Sequence, residues 1–156
     1  MFGQTLGYLS SIVKVNGNLK MNTEPVHGTY SLEKRGNLIV CFYSEGFNLA
    51  GVKAITNDIL ALAEDLDLWA LYQKPDSTAG IVHNAIKAMM DGYVRFQNAG
   101  CVAAAIQENS IFVRAGTSHR PHTLKMPIKI DKSEEELLLW LQAQLSVNES
   151  INRASA

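Results

Sequence analysis

Two uninterrupted apolar runs separated by a helical pattern constrain the fold of this chain more than any other feature. The runs are D-L-W-A-L-Y-Q at 67–73 and C-V-A-A-A-I-Q at 101–107, and apolar residues recur at helical spacing from Ile81 to Phe96 between them. Short continuous runs of this kind are typical of strands buried on both faces. Because parallel neighbours need a crossover connection, the pattern predicts parallel strands in a covered sheet.

The alternation continues on both sides of this unit. T-Y-S-L-E-K and L-I-V-C-F-Y-S are β-rich runs joined by R-G-N, which predicts an opening antiparallel hairpin. A helix capped by Asn48 follows the hairpin. Later come a short helix within 108–117, a strand in M-P-I-K-I-D, and a helix with a capping box at Ser133 and Glu136. The sequence therefore predicts an α/β fold with a mixed, mostly parallel sheet of about five strands covered by about four helices.

Length and composition fit one domain with flanking segments. A chain of 156 residues with 47% hydrophobic content can bury a single core. The first predicted strand starts near residue 29, and the sequence becomes polar after the last apolar helical positions. We therefore expect an N-terminal arm at 1–28, a domain at 29–145 and a polar C-terminal tail at 146–156.

Charge, hydropathy and cysteine placement narrow the classes of protein. A formal net charge of -1 gives no global field for nucleic acid, so no nucleic-acid partner is expected. The sequence lacks a run of about 18 apolar residues, so no membrane span is expected. Cys41 and Cys101 lie inside apolar runs, where free cysteine packs as a small hydrophobic residue. Reduced core cysteines agree with a cytoplasmic location.

Three fragments stand at characteristic places in this order of elements. E-G-F-N opens the first helix, D-S-T-A-G precedes the second, and W-L-Q-A-Q-L closes the last. Together they resemble the STAS-like family typified by anti-sigma-factor antagonists, and within it the uncharacterised SpoIIAA-like bacterial branch. The resemblance covers about residues 29–145. It implies a STAS-like fold and a non-enzymatic regulatory module that binds another protein, and a homodimer is expected.

The D-S-T-A-G fragment allows two interpretations. The resemblance implies a phosphosite at Ser77 or Thr78, because a partner kinase phosphorylates a Ser in the D-S-[ST]-G motif of the antagonists. Asp, Ser and Thr are also ordinary helix starters, and this favours a simple cap for the second helix. The resemblance also implies a partner-contact region around the start of the first helix and this turn, comprising Phe47, Asn48, Gly51, Asp76 and Gly80.

The basic stretch R-A-G-T-S-H-R-P-H-T-L-K is a candidate anion site. Arg114, His119 and Arg120 could bind phosphate, a carboxylate or an acidic protein surface. A solvated basic loop explains the same residues, because local charge runs are common. His119 and His122 have no nearby Cys or carboxylate in the sequence to complete a metal shell, so no metal is expected.

Motifs for catalysis are missing from the sequence. There is no G-x-S-x-G, P-loop, G-x-G-x-x-G or H-E-x-x-H pattern. His83 has no orienting carboxylate or nucleophile beside it in sequence, and we interpret it as a partly buried helix residue. Neither an enzyme nor a cofactor is expected, and an enzyme is the third of three interpretations.

Aromatic and methionine residues support a further alternative to protein binding. They could line an apolar cavity between sheet and helices, as in a carrier or sensor of a small apolar molecule or lipid, or they could fill the core. The residues are Trp69, Tyr72, Met89, Met90, Tyr93 and Phe96. A carrier predicts a closed pocket of a few hundred Å³, whereas a protein-binding module predicts an exposed apolar patch without a cavity.

Overall fold

The computed structural model describes residues 24–109 and 119–156, and these form an α/β fold. The elements in chain order are β1 (Thr29–Arg35), β2 (Leu38–Ser44), β3 (Gly46–Phe47), α1 (Leu49–Leu62), β4 (Trp69–Pro75), β5 (Gly80–Ile81), a 3-10 turn (His83–Ala85), α2 (Ile86–Asn98), β6 (Cys101–Gln107), β7 (Ile128–Asp131) and α3 (Glu134–Ala154). The main sheet has five strands in the order β1-β2-β4-β6-β7. The predicted α/β class and five-stranded mixed sheet are confirmed.

The opening hairpin is the antiparallel part of the sheet. β1 pairs with β2 from Thr29 opposite Ser44 to Arg35 opposite Leu38, and β4, β6 and β7 add in parallel. Gly36 sits in the two-residue turn with a φ of 61°. This left-handed conformation strains residues with a side chain, so the glycine fixes the register of the hairpin.

The number of helices differs from the prediction. The described residues contain three α-helices, instead of about four. The short helix expected within 108–117 falls almost wholly on residues 110–118, which lie outside the described residues. The 3-10 turn at His83–Ala85 is too short to count as the missing helix.

The C-terminal boundary also differs. We expected a polar tail at 146–156, but α3 continues to Ala154. The helix rests on the sheet only through its first part, where Leu137, Leu141 and Leu145 are buried. Beyond that point its residues are mostly exposed, and polar residues with good helix propensity can extend a helix that packing has already nucleated.

The two faces of the sheet are covered by different helices. On one face, α3 packs its buried leucines against Val40, Ala70, Tyr72, Ala103 and Ala105. On the other, α1 and α2 cover a larger cluster that includes Ile39, Cys41, Leu71 and Ala104. Side chains alternate between the faces because successive residues of a strand point in opposite directions. Both cysteines are buried and free, as predicted.

A second, two-stranded sheet lies beside the main one. β3 and β5 pair in parallel, with Gly46 opposite Gly80 and Phe47 opposite Ile81. The backbone N–H of Gly80 donates to the carbonyl of Glu45 at 3.0 Å, and that of Val82 donates to the carbonyl of Phe47 at 3.0 Å. This ribbon joins the start of α1 to the chain that leads into α2.

Candidate functional site

An apolar cavity of about 270 Å³ lies between the sheet and helices α1 and α2. The sheet contributes residues near the carboxyl ends of its strands, among them Tyr43 of β2, Gln73 of β4 and Ile106 of β6. Ligands of open α/β sheets bind outside the carboxyl ends of the strands. The cavity therefore lies near the carboxyl ends of the strands, between the sheet and helices α1 and α2.

Helices and the small ribbon form the remaining walls. Most of the lining side chains are apolar. Among the lining residues that the structure describes, Arg120 is the one with a charged side chain. From α1 come Val52, Ile55, Thr56 and Ile59, from α2 come Met89, Met90, Tyr93 and Phe96, and from the ribbon and its turn come Phe47, Ala79, Gly80 and Ile81.

Some residues of the predicted cavity are in place and others are not. Met89, Met90, Tyr93 and Phe96 line it. Tyr72 instead packs in the cluster under α3, because it faces the opposite side of β4 from Gln73. Trp69 is fully buried in the core of the α1 and α2 face and does not line the cavity, and its indole N–H donates to the Ala99 carbonyl at 2.9 Å.

Polar groups that the sequence analysis missed lie in the same cavity. The Gln73 side-chain amide donates to the Tyr93 hydroxyl at 2.7 Å, and Tyr43 borders the cavity on the neighbouring strand. Burial raises the pKa of Tyr43 well above its ordinary value, and nearby Tyr93 raises it further. The strand alternation that buries Ile39 and Cys41 also points Tyr43 to this face, and this was the signal available in the sequence.

The D-S-T-A-G fragment does not cap a helix. α2 begins at Ile86, its N-cap Ala85 supplies no side-chain hydrogen bond, and β5 and the 3-10 turn separate it from the fragment. The cap interpretation is therefore wrong. Local residue types could not reveal this, because the chain first pairs with β3, a distant segment, before it turns into the helix.

The fragment instead forms a turn tied to the end of β2. The Asp76 carboxylate accepts from the Thr78 backbone N–H at 2.8 Å and from its hydroxyl at 2.6 Å. The Thr78 hydroxyl in turn accepts from the backbone N–H of Glu45 at 2.9 Å. Hydrogen bonds from Thr78 lower the pKa of Asp76. Ser77 is exposed at the tip of the turn, and its phosphorylation stays a prediction.

The start of α1 is buried under the last residues of the expected N-terminal arm. The Asn48 side-chain oxygen accepts from the backbone N–H groups of Gly51 at 2.8 Å and His27 at 3.0 Å, and its amide donates to the Pro25 carbonyl at 2.7 Å. A methyl group on Gly51 would lie 2.0 Å from the His27 carbonyl oxygen. Asn48 is therefore a helix cap, as predicted, and also fixes the chain at 25–27.

This packing bears on the expected partner-contact region. Phe47, Asn48 and Gly51 are buried, whereas Asp76 is exposed and Gly80 is half-buried. Phe47 stacks edge-on against Tyr43, with ring centroids 5.8 Å apart. The five residues lie close together around the ribbon, but three of them face the interior of the domain.

The predicted anion site is only partly described. Arg114 lies outside the described residues. His119 is exposed, and its ring lies 6.2 Å from that of His83, which is also exposed and not partly buried as expected. One amino group of Arg120 donates to the carbonyls of Leu124 at 3.0 Å and Met126 at 2.5 Å. Arg120 thus closes a loop and borders the cavity.

The described residues offer neither a metal-binding cluster nor a membrane-spanning helix. Within residues 24–109 and 119–156, no group of three or more His, Cys, Asp or Glu side chains is placed to hold a metal ion. Of the helices in that part of the chain, none combines the length and apolar character needed to cross a membrane.

Comparison with protein-family models, with curated proteins and with solved structures found no match to this chain. The geometry of the site is therefore the basis for any functional assignment, and the STAS-like resemblance stays a prediction.

Proposed function

We propose that this protein binds a small apolar molecule in the cavity between the sheet and helices α1 and α2, as a carrier or sensor. The observation that supports this proposal is the cavity of about 270 Å³ at the carboxyl ends of the strands. An engineered cavity of about 150 Å³ takes up benzene, so the present volume suits a ligand of about ten non-hydrogen atoms.

The character of the walls agrees with a ligand site. The cavity is partly open to solvent, and its walls carry aromatic, Met and Ile side chains. Water against such walls does not supply the contacts that an apolar partner would make. A bound apolar molecule would supply those contacts, and the flexible methionines can adapt to its shape.

The test uses indane, a hydrocarbon of about nine non-hydrogen atoms, added to protein with labelled Ile, Leu and Met methyl groups. We expect methyl shifts at cavity residues such as Ile55, Ile81 and Met89, and no shifts at Leu137 and Leu141 under α3. Ala79→Leu is the matched variant, because Ala79 lines the cavity and a larger side chain would occupy it. Indane shifts that are missing in the parent protein, or equal in both proteins, would contradict the proposal.

Protein binding is a second candidate, supported by apolar side chains on the surface. On α3, Leu139, Val147 and Ile151 are each at least 55% exposed. Exposed large apolar residues of this kind can contribute to a protein interface or a homodimer. Sedimentation of the parent protein and of Ile151→Lys tests this, and a monomer at all concentrations would remove the homodimer.

A further inference from the structure

The polar side chains of the cavity gather at one end. Tyr43 and Gln73 belong to the adjacent strands β2 and β4, where Cys41 pairs with Gln73 and Tyr43 with Pro75. Tyr93 reaches the same place from α2 and accepts a hydrogen bond from the Gln73 amide. The rest of the lining is largely apolar, so this cluster would orient a ligand that entered the cavity.

The hydrogen-bonding capacity of the cluster is only partly used. The Tyr93 oxygen accepts from Gln73, which leaves its own O–H to donate. The Tyr43 hydroxyl makes no hydrogen bond with any residue of the described chain. Tyr43 is only partly buried and lines the cavity, so its hydroxyl is accessible from the cavity. Two hydroxyl donors at one end of an apolar cavity are therefore available to an acceptor on a ligand.

We infer that the ligand of this cavity carries a neutral carbonyl oxygen, which accepts hydrogen bonds from the Tyr43 and Tyr93 hydroxyl groups. This inference rests on the proposed function. It assigns the ligand to small apolar ketones, lactones or esters, with the hydrocarbon part lying against the Ile, Met and Phe side chains.

A neutral oxygen fits better than a carboxylate. A buried carboxylate needs a paired cation, and the one charged side chain among the described lining residues is Arg120. Arg120 precedes the edge strand β7, where it is bound to the carbonyls of Leu124 and Met126. Both tyrosines are protonated at neutral pH, since the ordinary pKa of a tyrosine is about 10 and burial raises the pKa of each further. Neutral donors suit a neutral acceptor.

The experiment compares four probes of nearly equal size, with about nine or ten non-hydrogen atoms each. The probes are indane, 1-indanone, 1-indanol and phenylacetate. Affinities for the parent protein and for Tyr43→Phe are measured by calorimetry, and the carbonyl stretch of bound 1-indanone is recorded by infrared spectroscopy. Tyr43→Phe is preferred to Tyr93→Phe, because loss of the Tyr93 oxygen would free the Gln73 amide to bind the ligand instead.

We expect Tyr43→Phe to weaken 1-indanone about fivefold, as for the loss of one hydrogen bond, and to leave indane within about twofold. The bound carbonyl stretch should lie lower in the parent protein than in the variant. Tighter binding of phenylacetate than of 1-indanone would overturn the inference, as would an equal effect of the variant on indane and 1-indanone. If indane and 1-indanone both fail to bind, the proposed function itself is wrong.

Discussion

On the α3 face of the sheet, small alanines meet the leucines of one helix, whereas on the opposite face two helices leave a cavity of about 270 Å³. Ala70, Ala103 and Ala105 are fully buried and let α3 lie close to β4 and β6. Under α1 and α2, large side chains such as Met90, Tyr93 and Phe96 stand between helix and strand. Small side chains between a helix and a sheet allow close packing. Large side chains hold the helix further from the sheet, and the gap between them can take a ligand. The α3 face is thus closely packed, whereas the face under α1 and α2 holds the larger hydrophobic cluster and also the space that the proposed ligand would occupy.

The largest effect should come from truncating a leucine on the α3 face. Leu141→Ala removes a fully buried side chain from close-packed surroundings, and we expect unfolding free energy to fall by about 3 kcal/mol. Met89→Ala on the cavity face should cost only about 1 kcal/mol, because Met89 is half-buried and already borders a void. Urea denaturation measures both. Equal losses would show that the two faces are packed alike.

The next test enlarges one alanine on each face. Ala103→Leu should destabilise the protein by about 2 kcal/mol, because Ala103 lies on β6 and is fully buried under α3. Ala79→Leu should change stability by less than about 0.5 kcal/mol, since the added atoms can enter the cavity. Thermal unfolding of the two variants separates these outcomes. A large loss for Ala79→Leu would mean that the cavity cannot take up side-chain volume.

A smaller loss of unfolding free energy is expected on substitution of Asn48, which lies at the start of α1 beside the cavity face. Asn48→Ala removes the cap of α1 and both contacts to the chain at 25–27, which should cost about 2 kcal/mol or somewhat less. Asn48→Ser keeps a side-chain oxygen that can cap α1 and loses the amide donor to Pro25 without burying a charge, so about half of that stability should remain. Urea denaturation again measures the difference, and hydrogen exchange of the His27 amide shows whether 25–27 has detached. Equal losses in the two variants would assign the role to the amide donor alone.

The contrast between the faces marks where sequence-based prediction succeeds. Periodicity and capping residues are local, and they located β1, β2, β4, β6 and the start of α3 correctly. Ser133 accepts from the Glu136 backbone N–H at 3.3 Å, as the capping-box spacing predicted, but the Ser133 backbone N–H donates to Asp131 at 2.9 Å and not to the Glu136 side chain. The packing of α3 follows from the same periodicity, because a helix with a stripe of leucines is stable when that stripe packs against an apolar face of the sheet.

The cavity face is formed by contacts between residues that are far apart in sequence, and a local sequence pattern cannot predict such contacts. Gly46 and Gly80 pair across a long stretch of chain, and this ribbon moves the start of α2 away from the D-S-T-A-G fragment. Met and aromatic residues at helical spacing look the same whether they fill a core or surround a void. The polar cluster joins two strands and a helix, so Tyr43, Gln73 and Tyr93 become neighbours only after folding.

The smallest expected effect concerns Asp76, in the turn that borders the cavity face. The Thr78 hydroxyl and backbone N–H lower the pKa of this exposed carboxyl. A carboxyl whose pKa is lower in the folded than in the unfolded protein contributes stability above the unfolded pKa. That contribution is lost as pH falls through the folded pKa, in the acid range below the ordinary Asp value. Thr78→Val removes the side-chain hydrogen bond and should move the pKa of Asp76 back towards that value.

A carbon-13 titration of the Asp76 carboxyl by NMR measures this shift, with Ser77→Ala as the matched control. Ser77 is exposed and lies between the two bonded residues, so its loss should leave the pKa of Asp76 unchanged. If Ser77→Ala raises the pKa as much as Thr78→Val does, the turn is not held by the Thr78 hydroxyl. If only Thr78→Val raises it, the Thr78 hydroxyl holds the Asp76 carboxylate within the turn. The turn that precedes the cavity-lining residues Ala79 and Gly80 then depends on a side-chain hydrogen bond, whereas the α3 face depends on the close packing of its alanines.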